Sequence, residues 1–443
     1  MENYLVAVVG AGPAGIFAAR QLASQGVQVV LFNRDIKPGG LAEYGIYYDK
    51  YKMKEGLRKQ FRQALELPHI LYRGNVTIGL KGDLTMSVLR ELGFHAILVT
   101  IGAQGTKWLG LPGEDLEGVY HAKDLVYHYN KLPPFSQREY LIGKRVALIG
   151  VGNVSIDIAR WLIRDLKVDE VIPVARRGPA EVKFTRKEVE SVASNLDVKA
   201  LDNELERCRP VMEAVGQDVA AARAYLLSGM EKSLESTSDT RLHFDFLASP
   251  VRLLGDAQGR VCRLELSDTT LVKDGNDTRS RMLGTQRIIE VDTVIYCIGD
   301  KVDEIFGLPL QDNEYIKHPS PRFPIEGESY EVYDCGIKHA CEGVFVAGWS
   351  RRASSGLVGV ARKDGENGAK AVMQFLRGAS QLRATQEVLD ALAERLQALQ
   401  KPVITQVELK RLEAREQQEM LERGLADFKF ASNDEMLQAM GLA

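Results

Sequence analysis

Two stretches of this chain carry the same punctuation: an apolar run, a glycine-rich turn, a helical pattern and a second apolar run. Residues 4–9, Tyr-Leu-Val-Ala-Val-Val, read as a buried strand. Gly10-Ala11-Gly12-Pro13-Ala14-Gly15 follows, then a helical pattern to about Gly26 and a second strand from Val27 to Phe32. G-x-G-x-x-G placed between a strand and a helix predicts a dinucleotide-binding turn. Each glycine has its own reason. Gly10 permits the tight turn, Gly12 lets the backbone approach a pyrophosphate, and Gly15 lets the helix pack closely on the strand. The helix N-terminus supplies N–H groups and the positive end of its dipole to the phosphates.

The second copy begins with Arg145-Val-Ala-Leu-Ile149, turns through Gly150-Val151-Gly152-Asn153-Val154-Ser155, runs helically over Ile156–Leu166 and closes with Val171-Ile-Pro-Val174. Ser155 stands where a third glycine is usual. Two such units in one enzyme usually hold two nucleotides, one fixed and one exchanging. The ends of the second strands differ between the copies. The first ends in Asn33-Arg34-Asp35, so the ribose contact falls to the uncharged Asn33 or to Asp35. The second ends in Arg176-Arg177, where guanidinium forks suit a 2′-phosphate and favour NADP over NAD.

At 443 residues the chain holds about three domains' worth of sequence, or two with insertions. The formal charge of −3 gives no basic excess, which speaks against nucleic acid or an anionic membrane as the main partner. The five cysteines, at 208, 262, 297, 335 and 341, contain no C-x-x-C. A redox dithiol, a clustered iron–sulfur centre and a structural zinc site are therefore not expected, and no metal is assigned. An odd cysteine count fits a reducing compartment. Met1-Glu2-Asn3 lacks a basic leader, and the apolar stretch Tyr4–Ala19 is too short and too glycine-broken to span a bilayer. The expectation is a soluble, cytoplasmic α/β protein, with no oligomeric state specified.

Between and after the two units, residues 95–103 read as a strand ending at Gly102, and residues 290–300 as a late strand with Cys297 in its core. Residues 205–241 read as helical and charged, and residues 268–286 as a polar loop or β-hairpin. From about Ser380 the chain reads as a docked helical appendage, with Leu389, Leu392 and Leu396 on one face and Pro402 interrupting a coiled coil.

In combination these residues resemble the adrenodoxin reductase family of NADPH–ferredoxin reductases, which is related to the glutamate synthase small subunit. The resemblance covers nearly the whole chain. It includes the first glycine motif, Gly40-Leu41, Tyr44-Gly45-Ile46, Leu111-Pro112-Gly113-Glu114 and Leu132-Pro133. It continues with Gly150-Val151-Gly152-Asn153-Val154, Asp157, Arg176-Arg177-Gly178-Pro179, Phe184-Thr185, Lys187-Glu188, Ala347-Gly348-Trp349, Arg352 and Gly356. The tail residues Phe428-Lys429-Phe430 and Glu435-Met436-Leu437 look like the end of bacterial members. The cysteine clusters of the glutamate synthase relatives are absent.

The resemblance implies two Rossmann-like domains: a discontinuous FAD domain (1–103 and 332–379) and an inserted NADP domain (104–331), followed by the appendage (380–443). FAD contacts are implied for Gly10, Gly12, Pro13, Ala14, Gly15, Asn33, Arg34, Gly40, Leu41, Ile46, Gly102, Gly348, Trp349, Gly356, Leu357 and Val358. NADP contacts are implied for Gly152, Asn153, Val154, Arg176, Arg177 and Glu188. Trp349 would pack beside the flavin, and Glu188 would position the nicotinamide. Lys50 stands in Asp49-Lys50-Tyr51, where the family commonly has Asp-His-Pro, close to the redox centre. The implied activity is NADPH-dependent reduction of FAD followed by single-electron transfer to a ferredoxin or other iron–sulfur protein. The family's basic docking helix corresponds here to Val219–Leu227, which carries only Arg223. Two rival readings are a NADPH-oxidising FAD subunit of a larger complex and a non-enzymatic, flavin-binding redox sensor.

Overall fold

The protein is described here by a computed structural model covering residues 4–275, 277–353, 356–379 and 384–442. The readings of Met1–Asn3, of Asn276 in the polar excursion and of Ser380 at the start of the tail lie outside the described residues.

The chain opens with strand β1 (Leu5–Val9), helix α1 (Pro13–Ala23) and β2 (Gln28–Phe32). A short helix α2 (Leu41–Tyr44), α3 (Tyr51–Leu65), β3 (Ile70–Arg73), α4 (Met86–Leu92) and β4 (Ala96–Val99) follow. The next segment contains β5 (Val119–His121), β6 (Arg145–Ile149), α5 (Asn153–Trp161) and β7 (Glu170–Val174). Helices α6 (Val198–Ala214) and α7 (Val219–Leu226) precede β8 (Arg241–Leu242). Then come β9 (Ala248–Gly255), β10 (Val261–Asp274), β11 (Asp277–Glu290) and β12 (Thr293–Tyr296). The chain finishes with β13 (Glu331–Asp334), β14 (His339–Val346), α8 (Val358–Leu376), α9 (Thr385–Gln397), α10 (Gln406–Glu422) and α11 (Asn433–Met440).

Packing divides the chain into two compact units, one of Met1–Thr106, Tyr127–Gln137 and Gly299–Ala443, the other of Lys107–Val126 and Arg138–Ile298. The first unit is thus discontinuous, but it resumes at Gly299 rather than at 332. Val302, Phe306, Leu308 and Tyr315 are the reason, because they bury themselves in the same apolar cluster as Val99 and Val346. Residues 127–137 also join it, through Tyr127 and Leu132 packed on Tyr44. The helical appendage is packed into this unit too.

The sheet of the first unit runs β13-β14-β4-β1-β2-β3 and is parallel except for the β13–β14 pair. Helix-covered parallel strands are buried on both faces, which is why β1 is apolar throughout. Val6 and Val8 enter a cluster with Ile16, Phe17 and Leu376; Leu5, Ala7 and Val9 enter the opposite one. The appendage serves both faces. Val388, Leu392 and Leu396 of α9 complete one cluster, while Leu409, Leu412 and Met436 of α10 and α11 complete the other.

The second unit has a parallel sheet of order β5-β12-β6-β7-β8 and a separate antiparallel sheet β9-β10-β11. The polar excursion at 268–286 is therefore a β-hairpin, formed by two 14-residue strands. The helical reading of 205–241 holds only to Leu226. Beyond it Gly229 and the serine-rich run 233–238 leave one short 3₁₀ turn, Met230–Lys232, and irregular chain.

Candidate functional site

In the first unit α1 starts immediately after the glycine turn. Gly12 is its N-cap, Pro13 occupies the first turn, and no side chain caps the exposed N–H groups. Gly10 has φ +105°, a conformation that glycine adopts without strain. A Cβ at Gly15 would lie 1.9 Å from the Gly10 oxygen and 2.6 Å from Thr100 Oγ1, so this helix can approach its strand only as glycine. At Gly12 an added Cβ would meet nothing within 4 Å. The turn is tight where the fold needs it and open where a pyrophosphate would lie.

Asn33, at the end of β2, is turned into the protein. Its Oδ1 accepts the Ala11 N–H at 3.0 Å, and its Nδ2 donates to the oxygens of Asp35 (2.8 Å) and Lys37 (2.9 Å). Asn33 therefore braces the glycine turn. The side chains left at the surface of this strand end are the exposed Arg34 and the half-buried Asp35, which pair at 3.1 Å. Close by, a cavity of about 230 Å³ is lined by residues that include Arg34, Asp35, Asn75, Thr77 and Lys401.

Gly39 and Gly40 both have positive φ (+116° and +49°) and lay the following segment against the turn. The Gly39 N–H donates to the Ala11 oxygen at 2.7 Å, and a Cβ on Gly40 would sit 3.1 Å from Gly12 Cα. Leu41 and Ile46 are half-buried on this segment. Tyr47 stacks on Tyr48 with centroids 4.7 Å apart, and Tyr129 packs beside both. Lys50 is half-buried at the N-cap of α3.

The later part of the unit closes on the same turn. A Cβ on Gly348 would strike Ala14 Cβ at 2.6 Å, and one on Gly365 of α8 would lie 2.1 Å from the Ala14 oxygen. The Gly348 N–H donates to Asp364 Oδ2 at 2.7 Å, and Arg351 holds Asp364 at 2.6 Å. The Gly102 N–H donates to Ser350 Oγ at 3.0 Å. Trp349 is half-buried between these anchors, in the 3₁₀ turn Gly348–Ser350. Gly356 has φ +76°, and Leu357 is the uncapped N-cap of α8. Leu357 is 70 % exposed and Val360 55 %, so the start of this helix presents apolar surface, whereas Val358 is half-buried.

The second unit repeats the scheme. Gly150 has φ +116°, Gly152 is the uncapped N-cap of α5, and an added Cβ on Gly152 would meet nothing within 4 Å. Asn153 Oδ1 accepts the Thr185 N–H at 2.8 Å, and Val154 is exposed. Ser155, at the third glycine position, is fully buried beside Cys297. Burial pushes the Cys297 thiol up to about 12, so it serves as core and not as a nucleophile. Arg176 is exposed. Arg177 is half-buried and paired with Glu181 at 3.1 Å and with Asp277 at 3.5 Å, while Gln217 in turn holds Glu181 at 2.7 Å. Glu188 is half-buried in the short helix Arg186–Val189. Arg223 of α7 is paired with Asp202 at 2.6 Å, so the one cation of that helix is already neutralised.

Among the described residues no group of His, Cys, Asp and Glu could hold a metal, and no helix is long and apolar enough to cross a membrane.

A parallel sheet with an open glycine cradle, present once in each of two packing units, defines a two-nucleotide α/β oxidoreductase. The family profile described as pyridine nucleotide-disulphide oxidoreductase matches residues 4–204. The chain is 29% identical to NADPH-ferredoxin reductase FprA of Mycobacterium leprae, over 90% of each chain. It is 28% identical to the mitochondrial NADPH:adrenodoxin oxidoreductase of Arabidopsis thaliana, over 80% of this chain and 78% of that one. The solved structure of FprA from Mycobacterium tuberculosis superposes with a TM-score of 0.81 at 27% identity, covering 100% of both chains, and its complex with NADPH fits equally well. The chain is a relative of the NADPH–ferredoxin and NADPH:adrenodoxin reductases.

Proposed function

We propose that this chain is a flavoprotein reductase that oxidises NADPH through FAD and delivers electrons singly to a ferredoxin-like iron–sulfur protein. The observation that carries the reading is the pair of open cradles at Gly12 and Gly152, each at the uncapped N-terminus of a helix that follows a buried parallel strand. FAD, when bound, supplies the conversion between the two-electron oxidation of NADPH and the one-electron reduction of the acceptor.

The chain's own residues bind and orient. Gly10, Gly12, Pro13, Ala14 and Gly15 would hold the FAD pyrophosphate, with Asn33 stiffening the turn from behind. Arg34 and Asp35 would take the ribose. Gly40, Leu41, Ile46 and Gly102 would follow the body of the cofactor. Gly348, Trp349, Gly356, Leu357 and Val358 would lie along its ring, where Trp349 and the exposed apolar start of α8 would exclude water. Lys50 would set a positive charge near the ring. In the second unit Gly152, Asn153 and Val154 would hold the NADP pyrophosphate. Arg176 would meet the 2′-phosphate directly, with Arg177 pre-set by Glu181, and Glu188 would orient the nicotinamide.

The five cysteines form no disulfide, which supports a cytoplasmic location. The ion pair Arg223–Asp202 favours an acceptor that docks away from α7, or a permanent partner that covers that face. Constant-stoichiometry co-purification would support the permanent partner. The deciding experiment is an anaerobic titration of the flavin-loaded protein with NADPH and, separately, NADH, followed by flavin absorbance. Bleaching at much lower NADPH than NADH is the expected result. A bound flavin reduced by neither nucleotide overturns the reading.

A further inference from the structure

We propose that the segment Glu416–Lys429 of the C-terminal appendage is a clasp that holds the loop Lys37–Glu43 in its flavin-binding shape, with Glu43, Lys429 and Glu416 as positioning residues. The proposal rests on reading the first unit as the FAD site, and adds to it a part of the chain that carries no nucleotide motif.

The loop cannot keep its shape by its own charges. Lys37 is 7% exposed and Glu43 3%. A buried charge must be paired and hydrogen-bonded to remain charged. Lys37 Nζ reaches Glu416 Oε2 of α10 at 2.5 Å, across a sequence separation of 379. Glu43 is held from two directions. Arg58 of α3 makes a fork to its two oxygens at 2.7 and 2.6 Å, and Lys429 Nζ lies 3.3 Å from Oε1 and donates to the Glu43 backbone oxygen at 3.2 Å. Arg58 is itself anchored to Asp427 at 2.7 Å. Lys429 also sits 4.9 Å over the ring of Tyr44. To the close pairs of this cluster the appendage contributes two anions, Glu416 on Lys37 and Asp427 on Arg58, and one cation, Lys429 on Glu43. Burial alone would raise the Glu43 carboxyl, but Lys429, Lys37 and Arg58 outweigh it and hold it well below its ordinary range.

What lies between the two clasped ends is the Gly39–Gly40 turn, in van der Waals reach of Gly12. A loop that loses one clasp must move, and any movement is felt at the open glycine of the cradle. Thermodynamic linkage makes the relation reciprocal: if the clasped appendage favours FAD, bound FAD must favour the clasped appendage.

The experiment measures FAD dissociation constants by flavin-fluorescence quenching on apoprotein stripped of flavin. The proteins are the wild type, Lys429→Met, Glu416→Lys and the exchange pair Lys37→Glu with Glu416→Lys. Trypsin cleavage of the wild-type appendage is followed with and without FAD, and 2′,5′-ADP binding serves as the control for the second unit. The expected result is FAD binding weakened by about tenfold or more in the single variants, substantial recovery in the exchange pair, unchanged 2′,5′-ADP binding, and slower cleavage of the appendage when FAD is present. Single variants that melt earlier yet bind FAD within twofold of the wild type would show a purely structural contact and overturn the clasp, as would cleavage indifferent to FAD. If the variants do not fold, the wild-type cleavage decides. Wild-type apoprotein with no affinity for FAD is a different failure, because it removes the flavin reading itself.

Discussion

The side-chain oxygen of Asn33 accepts the backbone N–H of Ala11 at 3.0 Å, so the residue that ends the second strand fastens the turn that ends the first. Its amide nitrogen is committed to two further carbonyl oxygens. Asn33→Ala would leave the buried Ala11 N–H unsatisfied and cost about 1–3 kcal/mol of stability. Asp35→Ala would leave the fold intact and weaken FAD binding. Urea unfolding and FAD titration of the two variants separate these effects. Equal losses of stability in both would contradict the bracing role.

Gly12 and Gly15 should respond differently to the same substitution. Gly15→Ala drives a methyl into the Gly10 carbonyl and should prevent stable folding of the first unit. Gly12 has φ −80°, which alanine adopts readily, and open space around it. Gly12→Ala should therefore melt within a few degrees of the wild type and fail to retain FAD. Circular dichroism with the ratio of flavin to protein absorbance tests both. Retention of flavin by Gly12→Ala would show that the pyrophosphate lies elsewhere.

The arginine pair should set the preference for the 2′-phosphate. Each charge-assisted bond contributes about 1.5–3 kcal/mol, so Arg176→Ala should weaken NADPH by about ten- to a hundredfold and leave NADH nearly unchanged. Steady-state kinetics with both nucleotides make the comparison, and a parallel loss with NADH would argue against a 2′-phosphate contact.

Lys54 gives a prediction in pH. It is fully buried, and its Nζ donates to Asn130 Oδ1 at 2.6 Å. Burial first, then Lys429 and Arg58, bring its amine down to about 7, against the opposing pull of Glu43 and Asp427. Between about pH 7 and the unfolded value near 10.4, the unfolded chain holds a proton that the folded chain lacks. Stability therefore rises with pH across that window, and the penalty is fully present below it. Lys54→Met should remove this component, worth at most about 5 kcal/mol. The wild type and Lys54→Met should be unfolded in urea at pH 6, 8 and 10. An identical pH slope in the two proteins would count against it.

Trp349→Ala should alter the visible spectrum of the bound flavin and its rate of reduction by NADPH. Stopped-flow absorbance would show this, and an unchanged spectrum and rate would mean that Trp349 is not beside the ring.

Local chemistry made both glycine units legible, because strand, turn and helix lie within one contiguous stretch and each glycine answers a local steric demand. The face Leu389, Leu392 and Leu396 was equally plain from helical spacing, and all three pack against the sheet. The inward turn of Asn33 was not legible, since an asparagine at a strand end can face either way until the backbone atoms around it are placed. Nor was the return of the chain at Gly299, which depends on Phe306 and Tyr315 finding a cluster built by β1 and β4. The partners Lys37 and Glu416 are ordinary charged residues in sequence. Only the approach of α10 to the loop makes them a pair.

The placement of that pair also orders events during protein synthesis. The longer of the two segments that build the second unit, Arg138–Ile298, emerges as one continuous piece and carries four of the five strands of its parallel sheet, the fifth, β5, having been made just before it, so the unit can fold while the ribosome is still translating. The first unit has no such opportunity. Glu43 has Arg58 close behind it in the chain, but Lys37 is made early and its partner Glu416 some 380 residues later, as is Lys429, the second cation on Glu43. At about 5–20 residues per second, the loop against Gly12 waits tens of seconds for the partner of Lys37. The site at the N-terminal motif is therefore among the last parts of the molecule to take shape.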